Sequence, residues 1–335
     1  MMSFEPITIV DQGSFFAGGT IKTWEGTFDP YHPTDAGQTL RGDHSYCFYE
    51  IPANARKYPL VFLHGFGQSG KTWETTPDGR EGFQTIFLRR GFGTYVLDQA
   101  RRGKAGKTAA GCTNAQKPDE QYQVFDIFRM GIWPDYFENV QMARDEETFD
   151  QFCRQCTCDT GTLELAAQSS SVAAACDRIG DCILVSHSMG GGMGWAAALK
   201  SPAVKAIVSF EPGSNFVFPE GEVPDPMPSS AGPLEAYGVP LETFKALTKI
   251  PVVIYYGDNI PAEPNANPGQ DQWRVRIDMA RLWADAVNRH GGNAKVYSLP
   301  EDFGIYGNTH FPFADLNNIE IADLMSKHLH AMGVD

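Results

Sequence analysis

From residue 58 onward, short apolar runs alternate with longer segments of helical character. Six apolar runs are short enough for buried strands: 60–63, 93–97, 183–185, 204–210, 252–256 and 294–299. Five segments have the composition or apolar spacing of helices: 82–90, 163–179, 189–199, 271–290 and 318–331. Strands that alternate with helices pair in parallel, with helices on both faces of the sheet. The pattern therefore predicts an α/β fold around a mostly parallel central sheet.

The chain departs from this rhythm in three places. Near the N-terminus, alternating runs separated by turn residues predict antiparallel strands at 13–16, 20–24 and 45–49. Residues 104–160 are long and rich in aromatic side chains, and residues 212–248 are rich in Pro and Gly. Both follow strands at the edge where an open α/β sheet places its ligand crevice. We expect a single domain over 1–335, with 104–160 and 212–248 as inserted cap or lid segments.

Charge and composition narrow the class of partner. The 27 Lys and Arg against 41 Asp and Glu give a net charge of −14, which argues against nucleic acid and anionic membrane surfaces. No apolar run reaches the roughly 18 residues of a membrane span. The N-terminus lacks the basic start and apolar stretch of a signal peptide, so a cytoplasmic protein is expected if Met1 is the natural start. The sequence leaves a homodimer open.

The seven cysteines are an odd number, so at least one thiol lies outside any disulfide bond within the chain. The only cluster is Cys153, Cys156 and Cys158, and no nearby His or second CxxC completes a zinc site. Three alternatives stay open: a structural zinc ion, disulfide bonds within 112–182, or buried thiols. No metal or cofactor is predicted for the chemistry of the site.

Residues 63–73, LHGFGQSGKTW, contain the phosphate-loop signature G-x-x-x-x-G-K-T. Such a loop needs a helix that begins at its Lys-Thr, so that the helix dipole and free N–H groups face the anion. Pro77 and Gly79 fall within the second turn of that helix, and two β-branched residues precede them. A nucleotide hydrolase is therefore only a remote alternative.

A second motif, SHSMGGG (186–192), directly follows the apolar run 183–185. Small residues two before and two after a central Ser are typical of the nucleophile elbow, a strand–turn–helix junction that holds its nucleophile in a strained, positive-φ conformation. Ser186 replaces the first Gly of the usual G-x-S-x-G pattern and is small enough for the turn. The motif predicts Ser188 as a nucleophile.

A serine hydroxyl needs an adjacent base, and a third group must orient that base. His310 lies between the last predicted strand and the last predicted helix, which makes it the candidate base. Glu211 and Asp258 each follow a predicted strand after the elbow, and chain position alone favours Asp258. His64 is expected to brace its loop, and His187 to point away from the pocket.

The predicted nucleophile also explains the loop that follows the first buried strand. In elbow enzymes, the N–H after the nucleophile and an N–H from this loop stabilise the tetrahedral oxyanion. These donors are predicted to be the N–H groups of Met189 and Phe66. Gly65 and Gly67 would allow the close backbone approach, which accounts for the likeness to a phosphate loop.

Six motifs together resemble the α/β-hydrolase superfamily, most closely an atypical group of bacterial carboxylesterases: HG…TWETTPDGR (64–80), YVLDQARRG (95–103), LVSHSMGG (184–191), IVSFEPG (207–213), YGD (256–258) and GNTH (307–310). The resemblance implies the α/β-hydrolase fold. In that group the acid is the Glu of EPG, which implies Glu211 rather than Asp258. Its best-known form has two adjacent Cys after HG, where this chain has Phe66 and Gly67, so no redox peculiarity is expected there.

We therefore predict a serine hydrolase that cleaves small-molecule carboxylic esters through an acyl-enzyme intermediate. Aromatic residues of 125–137 and 212–220 are expected to cover the site and to favour an apolar acyl or aryl group. An acyltransferase, lyase or cyclase acting on a specialised metabolite stays open, because one fold hosts many activities.

Overall fold

An eight-stranded sheet forms the centre of the protein. The computed structural model describes residues 5–112 and 120–335. In chain order the strands are β1 (Ile9–Ala17), β2 (Ser45–Pro52), β3 (Leu60–Leu63), β4 (Thr94–Asp98), β5 (Cys182–His187), β6 (Val204–Phe210), β7 (Pro251–Tyr256) and β8 (Asn293–Ser298). Their order across the sheet is β1-β2-β4-β3-β5-β6-β7-β8. Strand β2 is antiparallel to β1 and β4, and the other neighbouring pairs are parallel, which confirms the predicted sheet.

Helices cover both faces of this sheet, as predicted. In the described ranges the longer α-helices are α1 (Phe83–Arg89), α2 (Glu146–Gln155), α3 (Leu165–Ile179), α4 (Met189–Ala198), α5 (Pro268–Arg289) and α6 (Asn318–Ala331). Helices α3, α4 and α5 contribute to one apolar core, and α1 and α6 to the other. In β3, Val61 lies in the first core and Phe62 in the second, because successive side chains of a strand point to opposite faces. No helix within the described ranges is long and apolar enough to cross a membrane.

Shorter elements complete the described chain. Three strand pairs lie outside the main sheet: Thr20–Thr23 with Thr39–Gly42, Gly131–Ile132 with Asp135–Tyr136, and Val217–Pro219 with Tyr237–Val239. Short helical segments are Gly70–Trp73, Gly103–Ala105, Gln121–Ile127, Leu241–Phe244, Leu247–Lys249 and Leu299–Phe303. Apart from α2, the expected insertions 104–160 and 212–248 contain only such short elements where they are described. Residues 113–119 of the first insertion lie outside the described ranges.

Glycines at the start of α4 allow this helix to pack closely against two loops. A Cβ at Gly190 would lie 2.5 Å from the carbonyl oxygen of His64, and one at Gly192 would lie 2.5 Å from Cβ of Asn215. Only a residue without a side chain permits such an approach. Helix α4 therefore holds the loops after β3 and β6 beside the carboxyl end of β5, the edge at which open α/β sheets bind their ligands.

Candidate active site

Ser188 lies at the junction between β5 and α4 in a strained conformation. Its φ is 54° and its ψ is −123°, in the positive-φ region that non-glycine residues rarely adopt. Three hydrogen bonds hold it there. Its N–H donates to the carbonyl of Phe210 at 2.9 Å, and its carbonyl accepts from the N–H groups of Gly191 at 2.9 Å and Gly213 at 3.2 Å. The side chain lines a cavity of about 330 Å³.

His310 lines the same cavity from the loop before α6. Its Nδ1 lies 3.2 Å from Oε2 of Glu211, and its buried Nε2 has no hydrogen-bond partner among the described residues. Its ring stacks on Phe128, with centroids 5.2 Å apart, and contacts Trp273 at 4.2 Å. Burial lowers the pKa of His310 well below its usual value, and the charges of two nearby arginines lower it further. The imidazole is therefore neutral at pH 7, with a free nitrogen available as a base.

The loop that carries His310 is braced by Asp315. This buried carboxylate accepts hydrogen bonds from the N–H and the hydroxyl of Thr309, both at 2.7 Å, and from the amide of Asn308 at 3.0 Å. Burial raises the pKa of Asp315 to about 7. These bonds fix the backbone on the N-terminal side of His310 and so orient its ring.

Glu211, rather than Asp258, is the carboxylate beside His310. Glu211 is fully buried with φ of 54°, and its Oε1 accepts from the N–H of Gly257 and from Nη2 of Arg129 at 2.6 Å. Asp258, which chain position favoured, instead accepts from the amide of Asn139 at 2.8 Å and from the N–H of Gly307 at 2.7 Å. Asp258 therefore stabilises the loops around the site and does not contact the imidazole.

The two neighbouring histidines have structural contacts. His64 is buried, with its Nδ1 2.9 Å from the carbonyl of Gly65, and its Nε2 accepts from the N–H of Gln99 at 3.1 Å. Burial lowers its pKa to about 4, so it braces its loop in the neutral form, as expected. His187 lies beneath His310 with Nε2 2.8 Å from the carbonyl of that residue, and it does not line the cavity.

Phe66 and Met189 both border the cavity next to Ser188. Their backbone N–H groups have no hydrogen-bond acceptor within residues 5–112 and 120–335. Gly65 makes this juxtaposition feasible, because a Cβ there would lie 2.7 Å from Cβ of Ser188. The phenyl ring of Phe66 is 44% exposed and packs on the guanidinium of Arg102 at 5.1 Å. Two free N–H groups beside the hydroxyl match the requirements of an oxyanion hole.

The phosphate-loop alternative does not fit the structure. The helix expected after Lys71 and Thr72 is a single turn, Gly70–Trp73, which ends before any dipole of useful length develops. Nζ of Lys71 donates to the carbonyl of Thr75 at 2.6 Å, and the N–H of Gly70 donates to Asp98 at 2.7 Å. The Lys71 ammonium and the Gly70 N–H, two of the groups that would bind phosphate, therefore already have protein partners.

The described parts of the insertions contribute to the cavity unequally. Ile127 and Phe128 from the first insertion form part of its wall. The second supplies Gly213 and Ser214, whereas its aromatic residues lie elsewhere, because Phe216 is buried against Trp195 of α4 with ring centroids 5.4 Å apart. The expectation that aromatic side chains of 212–220 cover the site is therefore wrong.

Two arginines that sequence reasoning missed lie at the site. Arg129 is fully buried between Glu211 and the carbonyl of Asp258, to which its Nε donates at 2.8 Å. Arg276 of α5 lines the cavity itself. No local motif marks either residue. The partners of Arg129 are 82 and 129 positions away along the chain, and Gly213, which accepts from Arg276, is 63 positions away.

The cysteines show no disulfide bond within the described residues. Nε2 of Gln68 lies 3.3 Å from the sulfur of Cys156, and that sulfur contacts the carbonyl of Phe152 at 3.5 Å. No group of three His, Cys, Asp or Glu side chains in the described ranges is arranged to hold a metal ion. None of Cys153, Cys156 and Cys158 lines the cavity.

Comparisons with known proteins agree with this architecture. A sequence model described as "Alpha/beta hydrolase family" matches residues 60–302. The "Probable secreted lipase phiG" of Fungal sp. (strain ATCC 74256) is 28% identical over 306 residues, which cover 82% of each chain. The solved structure of a novel bacterial esterase has 30% identity, covers 99% of both chains and superposes with a TM-score of 0.78. These likenesses confirm the resemblance inferred from the motifs. Because the fungal protein is named as secreted, the cytoplasmic location stays a prediction.

Proposed function

The chain belongs to the α/β-hydrolase family, and on that premise we propose that it hydrolyses carboxylic esters of small molecules with Ser188, His310 and Glu211 as a catalytic triad. The observation that carries the proposal is the convergence of a positive-φ serine and a histidine with a free Nε2 on one cavity. The bacterial relative named as an esterase and the fungal relative named as a lipase support the choice of ester.

In the acylation step, Oγ of Ser188 attacks the carbonyl carbon of the ester. Nε2 of His310 takes the hydroxyl proton, so the carbonyl oxygen becomes the only new anion. The N–H groups of Phe66 and Met189 donate to this oxyanion, and each such donor is worth about 3 kcal/mol in the transition state. When the intermediate collapses, the C–O bond to the alcohol breaks and His310 protonates the departing oxygen.

Deacylation repeats these steps with water. His310 takes a proton from the water, the resulting hydroxide attacks the acyl-serine carbonyl, and Ser188 leaves with the proton returned by the imidazolium. Glu211 accepts from Nδ1–H and so keeps Nε2 directed at the reacting atoms. Its other oxygen is bound to Arg129, which gives this buried carboxylate a positively charged partner.

We further propose that 104–160 and 212–248 act as cap segments of a single domain. Support comes from contacts between the first insertion and α5. Nε1 of Trp273 donates to the carbonyl of Ile127 at 2.6 Å, and the side chain of Gln270 donates to the carbonyl of Asp126 at 2.7 Å. A roof held in this way would exclude water from the acyl-enzyme until the alcohol has left.

A panel of 4-nitrophenyl esters of increasing acyl length tests the proposal. We expect turnover by the wild type and a loss of at least about 10⁴-fold in kcat for Ser188→Ala. Ser186→Ala is the matched control, because that hydroxyl bonds to Ser209 at 2.9 Å and has no part in the mechanism. Undiminished turnover by Ser188→Ala would refute the assignment. Labelling of Ser188 by a fluorophosphonate without ester turnover would favour the acyltransferase alternative.

A further inference from the structure

We infer that the cavity binds a carboxylate of the substrate through Arg276, so that the preferred substrates are esters that also carry a free carboxylate. This inference rests on the proposed hydrolysis of esters and adds the substrate class. Half-esters of short dicarboxylic acids are the simplest members of that class.

The guanidinium of Arg276 is held in place with one nitrogen unused. Its Nε donates to the carbonyl of Gly213 at 2.7 Å, and its Nη1 donates to the side-chain oxygen of Gln272. Nη2 has no hydrogen-bond acceptor among the described residues. The guanidinium also lies over the ring of Trp273, 4.8 Å from its centroid. The group is thus preorganised, which reduces the entropy lost when it binds a planar anion.

Arg276 differs from three fully buried arginines in having no carboxylate partner among the described residues. Arg101 pairs with Asp43, Arg102 pairs with Asp159, and Arg129 pairs with Glu211. No Asp or Glu in the described ranges forms an ion pair with Arg276. Burial accordingly lowers its pKa to about 10, at which it is still charged at neutral pH. Arg276 is partly buried in the cavity wall. An anionic ligand in the cavity would supply the counter-ion that it lacks among the described residues.

The local charge of the cavity is opposite in sign to that of the whole protein. Among the described residues that line the cavity, Arg276 alone carries a formal charge, because His310 is neutral. The chain as a whole carries a net charge of −14. The net negative charge of the chain therefore does not explain the positive charge beside the nucleophile, which is specific to the cavity.

The distance between the guanidinium and the nucleophile limits the length of the substrate. A Cβ placed on Gly213 would lie 3.8 Å from Oγ of Ser188 and 3.4 Å from Nε of Arg276, so Oγ and Nε are no more than about 7.2 Å apart. The unused Nη2 is two C–N bonds, roughly 2.3 Å, from Nε and is therefore at most about 9.5 Å from Oγ. With hydrogen-bond distances near 2.9 Å, the carboxylate and the ester carbonyl would be separated by roughly two to four carbon atoms. Adipate, with four methylene groups, lies at the upper end of this range.

The test compares two esters that differ by one methyl group, which removes the charge of the distal carboxylate. Mono(4-nitrophenyl) adipate has a free carboxylate, and methyl 4-nitrophenyl adipate has the same chain without that charge. The measured quantity is the ratio of kcat/KM for the charged ester to kcat/KM for the neutral ester, from nitrophenolate release at pH 7.5. We expect the wild type to favour the charged ester by about 10-fold or more, as a charge-assisted hydrogen bond allows.

Variants at position 276 identify the cause of this preference. Arg276→Gln should lower the ratio by about 10- to 100-fold, and Arg276→Lys should retain most of the preference because it keeps the charge. Arg281→Gln is the matched control. Arg281 lies on the same helix as Arg276, but it pairs with Glu301 on the surface. A ratio that Arg276→Gln leaves unchanged, or that Arg281→Gln lowers equally, would overturn the inference.

A binding experiment separates the inference from the proposed hydrolysis. If the wild type hydrolyses neither ester, the proposed function fails, and the carboxylate site is then tested with monomethyl adipate by titration calorimetry. Binding to the wild type that Arg276→Gln weakens at least 10-fold would support the carboxylate site. Absence of binding to the wild type, or binding unaffected by Arg276→Gln, would refute it. Thermal unfolding of Arg276→Gln verifies that the variant is folded.

Discussion

Glu211 and Asp258 each follow a strand of the same sheet, yet their surroundings give them different roles. The carboxylate of Glu211 is fully buried and lies between His310 and Arg129. The carboxylate of Asp258 binds backbone and amide groups of surrounding loops. An acid that orients a histidine must contact its Nδ1–H, and Glu211 alone of these two does so.

This difference predicts unequal effects when each carboxylate is replaced by its amide. Glu211→Gln should lower kcat for ester hydrolysis by about 10³- to 10⁴-fold, because the histidine loses the group that fixes its tautomer. Asp258→Asn should lower kcat by at most about 10-fold. Steady-state kinetics of the two variants decide the assignment, and a larger loss for Asp258→Asn would reverse it.

Arg129 and Arg276 together predict how activity depends on pH. A lowered pKa of His310 keeps the imidazole neutral, and hence active as a base, at pH values below its usual range of about 6.5. Removing either positive charge should raise that pKa and move the acidic limb of kcat/KM to higher pH. Arg129→Gln should also destabilise the protein by about 3–5 kcal/mol, since it leaves Glu211 buried without its partner.

The measurement is the pH–rate profile of the wild type, Arg129→Gln and Arg276→Gln. Arg276→Gln leaves the ion pair between Arg129 and Glu211 intact. Its pH–rate profile therefore still tests the effect of charge on His310 if Arg129→Gln does not fold. An acidic limb that stays in place or moves to lower pH in both variants would show that these charges do not act on His310.

At the scale of elements, the loop after β3 must approach the start of α4 closely. Gly65→Ala would place a Cβ 2.7 Å from Cβ of Ser188 and 3.0 Å from Nδ1 of His187, both in rigid surroundings. The loop would move, and with it the N–H of Phe66. We expect kcat to fall by about 10²-fold with a smaller change in KM, because this donor acts mainly in the transition state.

Gly111→Ala is the matched control for this substitution, because a Cβ at Gly111 meets no atom of residues 5–112 and 120–335 within 4 Å. It makes the same chemical change without a clash and should leave kcat unaltered. Equal kcat values for Gly65→Ala and the wild type would mean that the loop after β3 does not supply an oxyanion donor.

The elements of the sheet could be predicted because their signal is local. Each buried parallel strand is an apolar run, and the predicted bounds of β6, 204–210, and of α6, 318–331, agree with the structure. The insertions were harder, because an aromatic residue fits a lid and a core equally well. Phe216 lies in the core against Trp195. This contact depends on the path of the loop after β6, which no periodic pattern in the sequence indicates.

The site was predictable to the extent that its residues lie at strand ends. The nucleophile has a sequence motif, and the base is a loop histidine after the last strand. Arg129 and Arg276 escaped prediction because each acts through residues far away along the chain. Contacts between residues this far apart along the chain depend on the topology of the fold, so only the three-dimensional structure shows them.

For the molecule as a whole, three buried histidines predict a loss of stability in mild acid. The pKa values of His64, His187 and His310 are lowered by burial, so each is neutral in the native state. Groups with a depressed pKa of this type contribute stability that is present above the unfolded pKa of about 6.5 and is lost as pH falls below it. Between pH 7 and 5, His64 alone accounts for roughly 2 kcal/mol.

Asp315 acts in the opposite direction, because its pKa is raised to about 7 and protonation favours the native state. Three histidines outweigh one carboxylate, so the free energy of unfolding from urea titrations should be lower at pH 5 than at pH 7. Asp315→Asn removes the opposing contribution and should steepen the dependence. Equal or greater stability at pH 5 in the wild type would contradict the assigned protonation states.

The central claim is that Ser188 is the nucleophile activated by His310, and its most direct test is the site of covalent modification. The protein is treated with a fluorophosphonate, which loses fluoride as its phosphorus bonds to an activated hydroxyl, and peptide mass mapping then locates the adduct. We expect one adduct per chain, on Ser188, with labelling at least about 10³-fold slower in His310→Gln. An adduct on another residue, or equally fast labelling of His310→Gln, would contradict the account.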